Sequence, residues 1–311
     1  MSILVCGSMA YDSIMVFNDR FKHHILPDQI HILNVSFLVP ELRREFGGCA
    51  GNIAYSLKLL GGDPLIMATV GEDAAPYRSR LQALGLRQDH VREVPGTYTA
   101  QAFITTDLDD NQITAFHPGA MFHSHLNRVE DAAGVTLGIV SPDGRDGMLR
   151  HVQGFAAAGV PFVFDPGQAL PILSAEELSA CLKLARYCTV NDYEMRLMCD
   201  KTGMDEAALA ATVEALVVTL GAEGSRVRVG GACVTIPAVP ADRIVDPTGC
   251  GDAYRAGLLY GLGQGWDCVR SARLAAVMGA IKIAHRGGQN HCPGRDEIAT
   301  RYRAAFGENP W

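Results

Sequence analysis

The sequence predicts an α/β fold: a central, mostly parallel sheet flanked by helices, with a small β-sheet lid set over it. Two observations predict this. Short apolar runs ending at a glycine or an acid alternate with stretches of helical spacing along most of the chain, and that alternation means parallel strands joined by covering helices. Two segments, 13–40 and 98–117, break the rhythm with β-branched and aromatic residues, which marks strands of a second sheet. The 311 residues are 48% hydrophobic and 20% charged, a globular balance that excludes a disordered chain and a coiled coil. With no internal repeat and no linker, 1–311 is expected to form one α/β domain.

Each element has its own signal. Residues 3–6 form an apolar run closed by Gly7, the pattern of a buried strand. A helix follows over 49–60, where Ala50, Ile53, Ala54, Leu57 and Leu60 keep helical spacing until Gly61 and Gly62 stop it. The strand pattern returns at 64–70, 135–140, 161–164, 187–190 and 216–220. Ser174-x-x-Glu177 is a capping box opening another helix, and helices over 251–262, 268–284 and 295–306 fill the C-terminal third. The acidic turn 107–111, between two alternating runs, signals a hairpin. Both β-rich segments are interleaved with the early α/β units. Their sheet is therefore expected over the carboxyl ends of the parallel strands, where open α/β sheets bind ligands.

Charge and cysteine content narrow the function. Lys and Arg number 27 against 34 Asp and Glu, a net charge of −7, so there is no basic footprint for nucleic acid. The N-terminal stretch has no basic segment and too short an apolar run for a signal peptide or a membrane span, which points to a cytoplasmic protein with no membrane partner. Nine cysteines lie scattered without a C-x-x-C pair, as expected of reduced core thiols. His117, His123 and His125 cluster without an accompanying acid or cysteine, and lid or surface histidines account for them better than zinc.

Glycine carries most of the functional signal, with 33 residues, about 11% against a usual ~7%. In the run Asp246-Pro247-Thr248-Gly249-Cys250-Gly251-Asp252-Ala253, alternate glycines precede an apolar helix. They let backbone N–H groups converge, and the helix dipole adds positive potential at the same point. This is an anion site with a carboxylate, Asp252, in the first helical turn. A carboxylate there opposes anion binding unless it takes a proton from an attacking hydroxyl, the role of a base in phosphoryl transfer. Read alone, the same pattern also fits a helix cap whose glycines pack on a neighbour.

These residues resemble the D-T-x-G-A-G-D motif of the ribokinase-like (PfkB) family of carbohydrate and nucleoside kinases. Gly47-Gly48-Cys49-Ala50-Gly51-Asn52 is similar to its N-terminal glycine signature and Asn191-Asp192-Tyr193-Glu194 to its N-x-x-E motif, so the resemblance covers nearly the whole chain. Within the family the chain looks most like bacterial nucleoside kinases of the adenosine kinase kind.

The resemblance implies a ribokinase-like fold and roles for named residues. Asp252 is the implied base, and the N–H groups of Gly249, Cys250 and Gly251 the anion hole for the transferred phosphoryl. Asp12, Asn52, Gly47 and Gly48 are implied at the sugar hydroxyls. Apart from the resemblance, Phe17, Phe37, Phe103 and Phe116 lie in the strands expected to cover the acceptor, and one such as Phe103 is expected to stack on the base. Asn191, Thr219, Gly221, Gly224 and Thr248 are implied around ATP, with the 280–290 stretch walling its adenine. Glu194 would hold Mg²⁺ through water, and Asp246 would bound a monovalent-cation site, K⁺ being the ion. Pro247 and Cys250 depart from the family's usual residues there, and His117-Pro118-Gly119 stands where some relatives carry a lid arginine.

The expected function is ATP-dependent phosphorylation of the 5′-hydroxyl of a purine ribonucleoside such as adenosine or inosine, as in purine salvage, with lid closure excluding water. A ribokinase-type sugar kinase acting on ribose or a ketose is the alternative. A ligand sensor leaves Asp252 unexplained, and a dinucleotide oxidoreductase lacks G-x-G-x-x-G after the first strand. Exposed lid edges make a homodimer an expected assembly.

Overall fold

In the computed structural model, which describes residues 2–25, 34–109 and 111–311, two chain segments climb out of the main sheet and return to it. The chain runs β1 (Ser2–Cys6), β2 (Ala10–Val16), β3 (Glu41–Gly47), α1 (Cys49–Leu59), β4 (Asp63–Val70), α2 (Ala75–Ala83), β5 (Arg87–Glu93), β6 (Ala100–Thr106), β7 (Gln112–His117) and β8 (Val135–Val140). It continues through α3 (Arg145–Ala158), β9 (Phe162–Phe164), α4 (Ala175–Leu184), β10 (Tyr187–Asn191), α5 (Asp192–Thr202), α6 (Glu206–Ala210), β11 (Ala215–Thr219), β12 (Ser225–Val229) and β13 (Ala232–Ile236). Helices α7 (Cys250–Gly263), α8 (Cys268–Lys282) and α9 (Arg295–Phe306) close the chain.

The main sheet has nine strands in the order β13-β12-β11-β10-β9-β8-β1-β4-β5. From β5 to β11 every pairing is parallel, whereas β12 and β13 form an antiparallel margin. Alternation along β1 shows why both faces need covering. Ile3 and Val5 join the core beneath α1, α2, α7, α8 and α9, while Leu4 and Cys6 join the one beneath α3, α4 and α5. Helices α7 and α8 approach so closely that a Cβ on Gly257 would meet the Ala275 backbone at 2.6 Å. Gly257 and Gly261, where a Cβ would meet Ala275 and Ser271 of α8, are therefore helix-packing positions.

The small sheet runs β3-β2-β6-β7, with β2 and β6 parallel and both outer pairs antiparallel. It differs from the expected 13–40 and 98–117 in one strand: β2 begins at Ala10, and β3 lies beyond Pro40 at Glu41–Gly47. Charge hid that strand, because Glu41, Arg43, Arg44 and Glu45 give no apolar alternation. Part of the expected segment, 26–33, lies outside the described residues. Phe17, Phe21 and Phe37 pack on one another with ring centroids 4.8–5.9 Å apart, forming a small core of the lid's own. Among the described residues no helix is long and apolar enough to cross a membrane.

Candidate active site

Gly7 follows β1, Asp165 follows β9, and Asn191 and Thr219 end β10 and β11 as directly paired residues, so all stand along the carboxyl edge of the parallel strands. The N-terminus of α7 meets this edge. Gly249 adopts φ 77° and ψ 4° as its N-cap, the left-handed geometry that position three of a type II turn requires. That turn is closed by the Cys250 N–H donating to the Pro247 carbonyl at 3.1 Å. Cys250 is thus committed to holding the loop's shape, contrary to its expected place in the anion hole. Among the described residues, the N–H groups of Gly249 and Gly251 meet no acceptor, and they remain with the helix dipole to face an anion.

Asp252 is half-buried in the first turn of α7 and takes a hydrogen bond from Asn52 Nδ2 at 2.9 Å. Asn52 is itself held. Its Oδ1 accepts from Gln289 Nε2 at 3.1 Å, Gln289 donates also to the Tyr77 hydroxyl at 2.7 Å, and Tyr77 donates to the Gly47 carbonyl at 2.7 Å. A buried relay therefore ties Asp252 to the 287–291 segment, α2 and the end of β3. Tyr77 and Gln289 carry no motif of their own; Gln289, within the stretch expected to wall the adenine, braces Asn52.

Burial pushes the Asp252 carboxyl above its ordinary range, while the Asn52 amide and the Arg255 guanidinium pull it back. Arg255, one turn further along α7, makes a bidentate ion pair with Asp165, with Nη2 2.7 Å from Oδ1. Its Nη2 also lies 4.0 Å from Glu194. The side chains of Arg255 and Asp165 are only 9% and 1% exposed. One buried cation thus serves three carboxylates, Asp165, Glu194 and Asp252.

Asp12 stands on β2, directly opposite Glu45 of β3. Burial, together with the negative charges of Asp252, Glu45 and Asp246, pushes its pKa up to about 6. Gly47 makes room for this carboxylate, since a Cβ there would lie 2.3 Å from Asp12 Oδ2. Gly48, at φ 84°, lets the chain turn from the lid into α1 in a space where a Cβ would meet Ser8 O and Ala10 N at 2.6 Å. Both glycines therefore accommodate the protein's own groups.

Strand register decides which aromatic shares a face with Asp12. Asp12 pairs with Ala102 and Ala102 with Phe116, so these three point to one face, whereas Phe103 pairs with Ser13 and points to the other. Phe103 is 42% exposed on that opposite face. Phe116, 52% exposed, is the lid phenylalanine on the Asp12 side, and the expectation for Phe103 is corrected accordingly.

On the far side of α7, Asn191 and Glu194 form a reciprocal capping box. Asn191 Oδ1 accepts from the Glu194 N–H and Glu194 Oε2 from the Asn191 N–H, both at 2.7 Å. Their local role is the start of α5. Thr219, Gly221 and Gly224 make the short turn from β11 into β12, closed by Leu220 N–H to the Gly224 carbonyl at 2.8 Å. Thr248 is exposed, its N–H bound to Asp246 Oδ1 at 2.8 Å. Among the described residues no cluster of three metal-ligating side chains occurs.

Both carboxylate oxygens of Asp246 accept a backbone N–H of the chain. Its Oδ2 accepts from the Gly287 N–H at 2.8 Å. Although burial works against the charged form, the Gly287 and Thr248 N–H groups hold this carboxyl below the usual range. The Lys282 ammonium donates to the Asp246 carbonyl at 2.7 Å and to the His285 carbonyl at 3.0 Å.

Comparison with known proteins places this geometry. A profile of pfkB family carbohydrate kinases matches residues 8–294. The nucleoside kinase of Methanothermobacter thermautotrophicus is 29% identical over 96% of this chain and 98% of its own. The solved structure of Burkholderia thailandensis nucleoside kinase in complex with inosine is 55% identical, covers 99% of each chain and superposes with a TM-score of 0.90. The same kinase in complex with ADP-inosine is 56% identical over 99% of this chain and 97% of its own, with a TM-score of 0.88.

Proposed function

The chain belongs to the pfkB family of carbohydrate kinases, and from that membership we propose how its residues divide the work of a nucleoside kinase that moves the γ-phosphoryl of ATP to a 5′-hydroxyl. The observation that carries the assignment of roles is Asp252, fixed by Asn52 beside the open N–H groups at the start of α7. Asp252 accepts the hydroxyl proton as the new O–P bond forms and the bond to the ADP oxygen breaks. Gly249 and Gly251 stabilise the charge on the transferred group.

Asp12 holds the ribose hydroxyls, a carboxylate accepting from two donors. Asn52 positions Asp252 rather than contacting the sugar with both ends of its amide, since Gln289 occupies its oxygen. The turn 219–224, Asn191 and Thr248 border the nucleotide. Mg²⁺ would neutralise phosphate charge when bound, with Glu194 reaching it through water. The acceptor is a purine ribonucleoside of the inosine or adenosine kind.

Release of ADP from MgATP across a panel of nucleosides and free sugars tests this. If Phe116 stacks on the base, inosine or adenosine should exceed ribose in kcat/KM by at least ~100-fold, because stacking contributes ~1–3 kcal/mol and other base contacts add to it. Phe116→Ala should narrow that gap, and Phe103→Ala, on the opposite face, should leave it intact. Better turnover of ribose than of any nucleoside would reject the acceptor assignment.

Asp12 sets an acid limb. Only its ionised form accepts two hydroxyls, so acceptor kcat/KM should fall about tenfold per unit as pH drops below about 6. Asp12→Asn should flatten that limb and raise acceptor KM about tenfold or more. A limb that persists unchanged in the variant would assign it to another group.

A further inference from the structure

The place beside Asp246 does not suit a free monovalent ion. Both carboxylate oxygens of Asp246 are taken by backbone N–H groups, and the carbonyls of Asp246 and His285 converge on Lys282 Nζ. Lys282 ends α8 and is 0% exposed. Burying an ammonium so completely is costly unless oxygen ligands and negative charge replace its water. Two carbonyls accept from it directly, and although burial lowers its pKa from the ordinary lysine value, the nearby charges of Asp246 and Asp252 work toward the protonated form.

The carbonyls that Lys282 joins belong to two chain segments that must keep their relative position for Asp252 to work. Asp246 begins the loop leading to the Gly249–Gly251 anion site. His285 lies in the segment that continues to Gly287, bonded to Asp246, and to Gln289, bonded to Asn52. The two segments also meet through the N–H groups of Val245 and Asp246, which share the Ile283 carbonyl at 2.9 and 3.1 Å. A single positive charge between them counters the dipoles of carbonyls that would otherwise face each other and spread the loop.

We propose that the Lys282 ammonium is this chain's resident cation, covalently attached where the family resemblance implies a monovalent ion, so that the enzyme works without K⁺. Lys282 is a positioning residue: it acts on the reaction by holding the anion-site loop against the 283–290 segment. The activity arm of its test rests on the nucleoside kinase reading. The stability arm does not.

The experiment exchanges tetramethylammonium, too large to enter between the carbonyls, for K⁺ at constant ionic strength. For the natural chain, kcat with MgATP and inosine, and Tm in the absence of any substrate, should both stay the same, kcat within about twofold. Lys282→Met, which keeps bulk and removes charge, should lose about tenfold or more in kcat. Lys282→Ala opens space at the same carbonyls, and there K⁺ or NH₄⁺ should restore part of the lost kcat and raise Tm, as an ion bound to the folded state must.

K⁺ activation of the natural chain by several-fold, or a K⁺-specific rise in its Tm, would overturn the proposal. So would full activity of Lys282→Met, or a folded but impaired Lys282→Ala that responds to neither ion. If both variants fail to fold, the natural chain's K⁺ titration still decides. If no nucleoside consumes ATP, the kinase reading falls while the substrate-free Tm comparison continues to test the cation.

Discussion

Asp252→Asn is expected to lower kcat by about 10²–10⁴ while leaving acceptor affinity little changed. Asparagine matches the carboxylate in volume and can still accept from Asn52 Nδ2, so the relay through Gln289 and Tyr77 keeps its geometry. What it cannot do is take a proton. The variant also removes one of the negative charges that raise Asp12, so the acid limb of acceptor binding should move to lower pH than about 6. Steady-state kinetics over pH, with circular dichroism as the folding control, measures both effects. Undiminished turnover in a folded variant would end the assignment of Asp252 as base.

Arg255→Met is expected to cost about 3–5 kcal/mol of folding stability, because it leaves Asp165 buried and unpaired. The size of the effect comes from the abandoned charge more than from the lost bond. Replacing both partners, Arg255→Met with Asp165→Leu, should therefore recover much of the loss. Denaturant unfolding of the two variants tests this: equal instability would mean that the guanidinium matters for reasons other than Asp165. In any residual activity, Asp252 without Arg255 should ionise at higher pH, since the guanidinium favours its charged form. The acid limb of kcat should then move upward in pH.

Elements defined by their own residues were legible in the sequence. The capping box at Ser174 and Glu177, the helix ended by Gly61 and Gly62, and the span of α9 stand as read, because local hydrogen bonding and side-chain period fix them. The β3 strand was not, since Glu41–Gly47 is charged and is specified by pairing with β2 rather than by an apolar pattern. In the site, Asn52 bonds to Asp252, and Asp12 lies near enough to feel the Asp252 charge. The residues that make them work together, Tyr77, Gln289, Arg255 and Lys282, act across long separations, and no local pattern announces them. Phe103 and Phe116 show a finer limit: composition placed both in the lid, but only strand register tells which face each occupies.

The position of β1 in the middle of the main sheet, between β4 and β8, has a consequence for biosynthesis. As the chain leaves the ribosome its first strand waits for a neighbour that arrives only at Val135, and contacts so distant in sequence form late. The Asn52 to Asp252 bond spans 200 residues and the Asn52 to Gln289 bond 237. A nascent chain halted after β13 could pair all nine strands of the sheet and still have no phosphoryl-transfer centre. Competence is conferred by the last fifth of the polypeptide, so the enzyme should mature in a single late step, and shortened translation products should be inert however well their sheet forms.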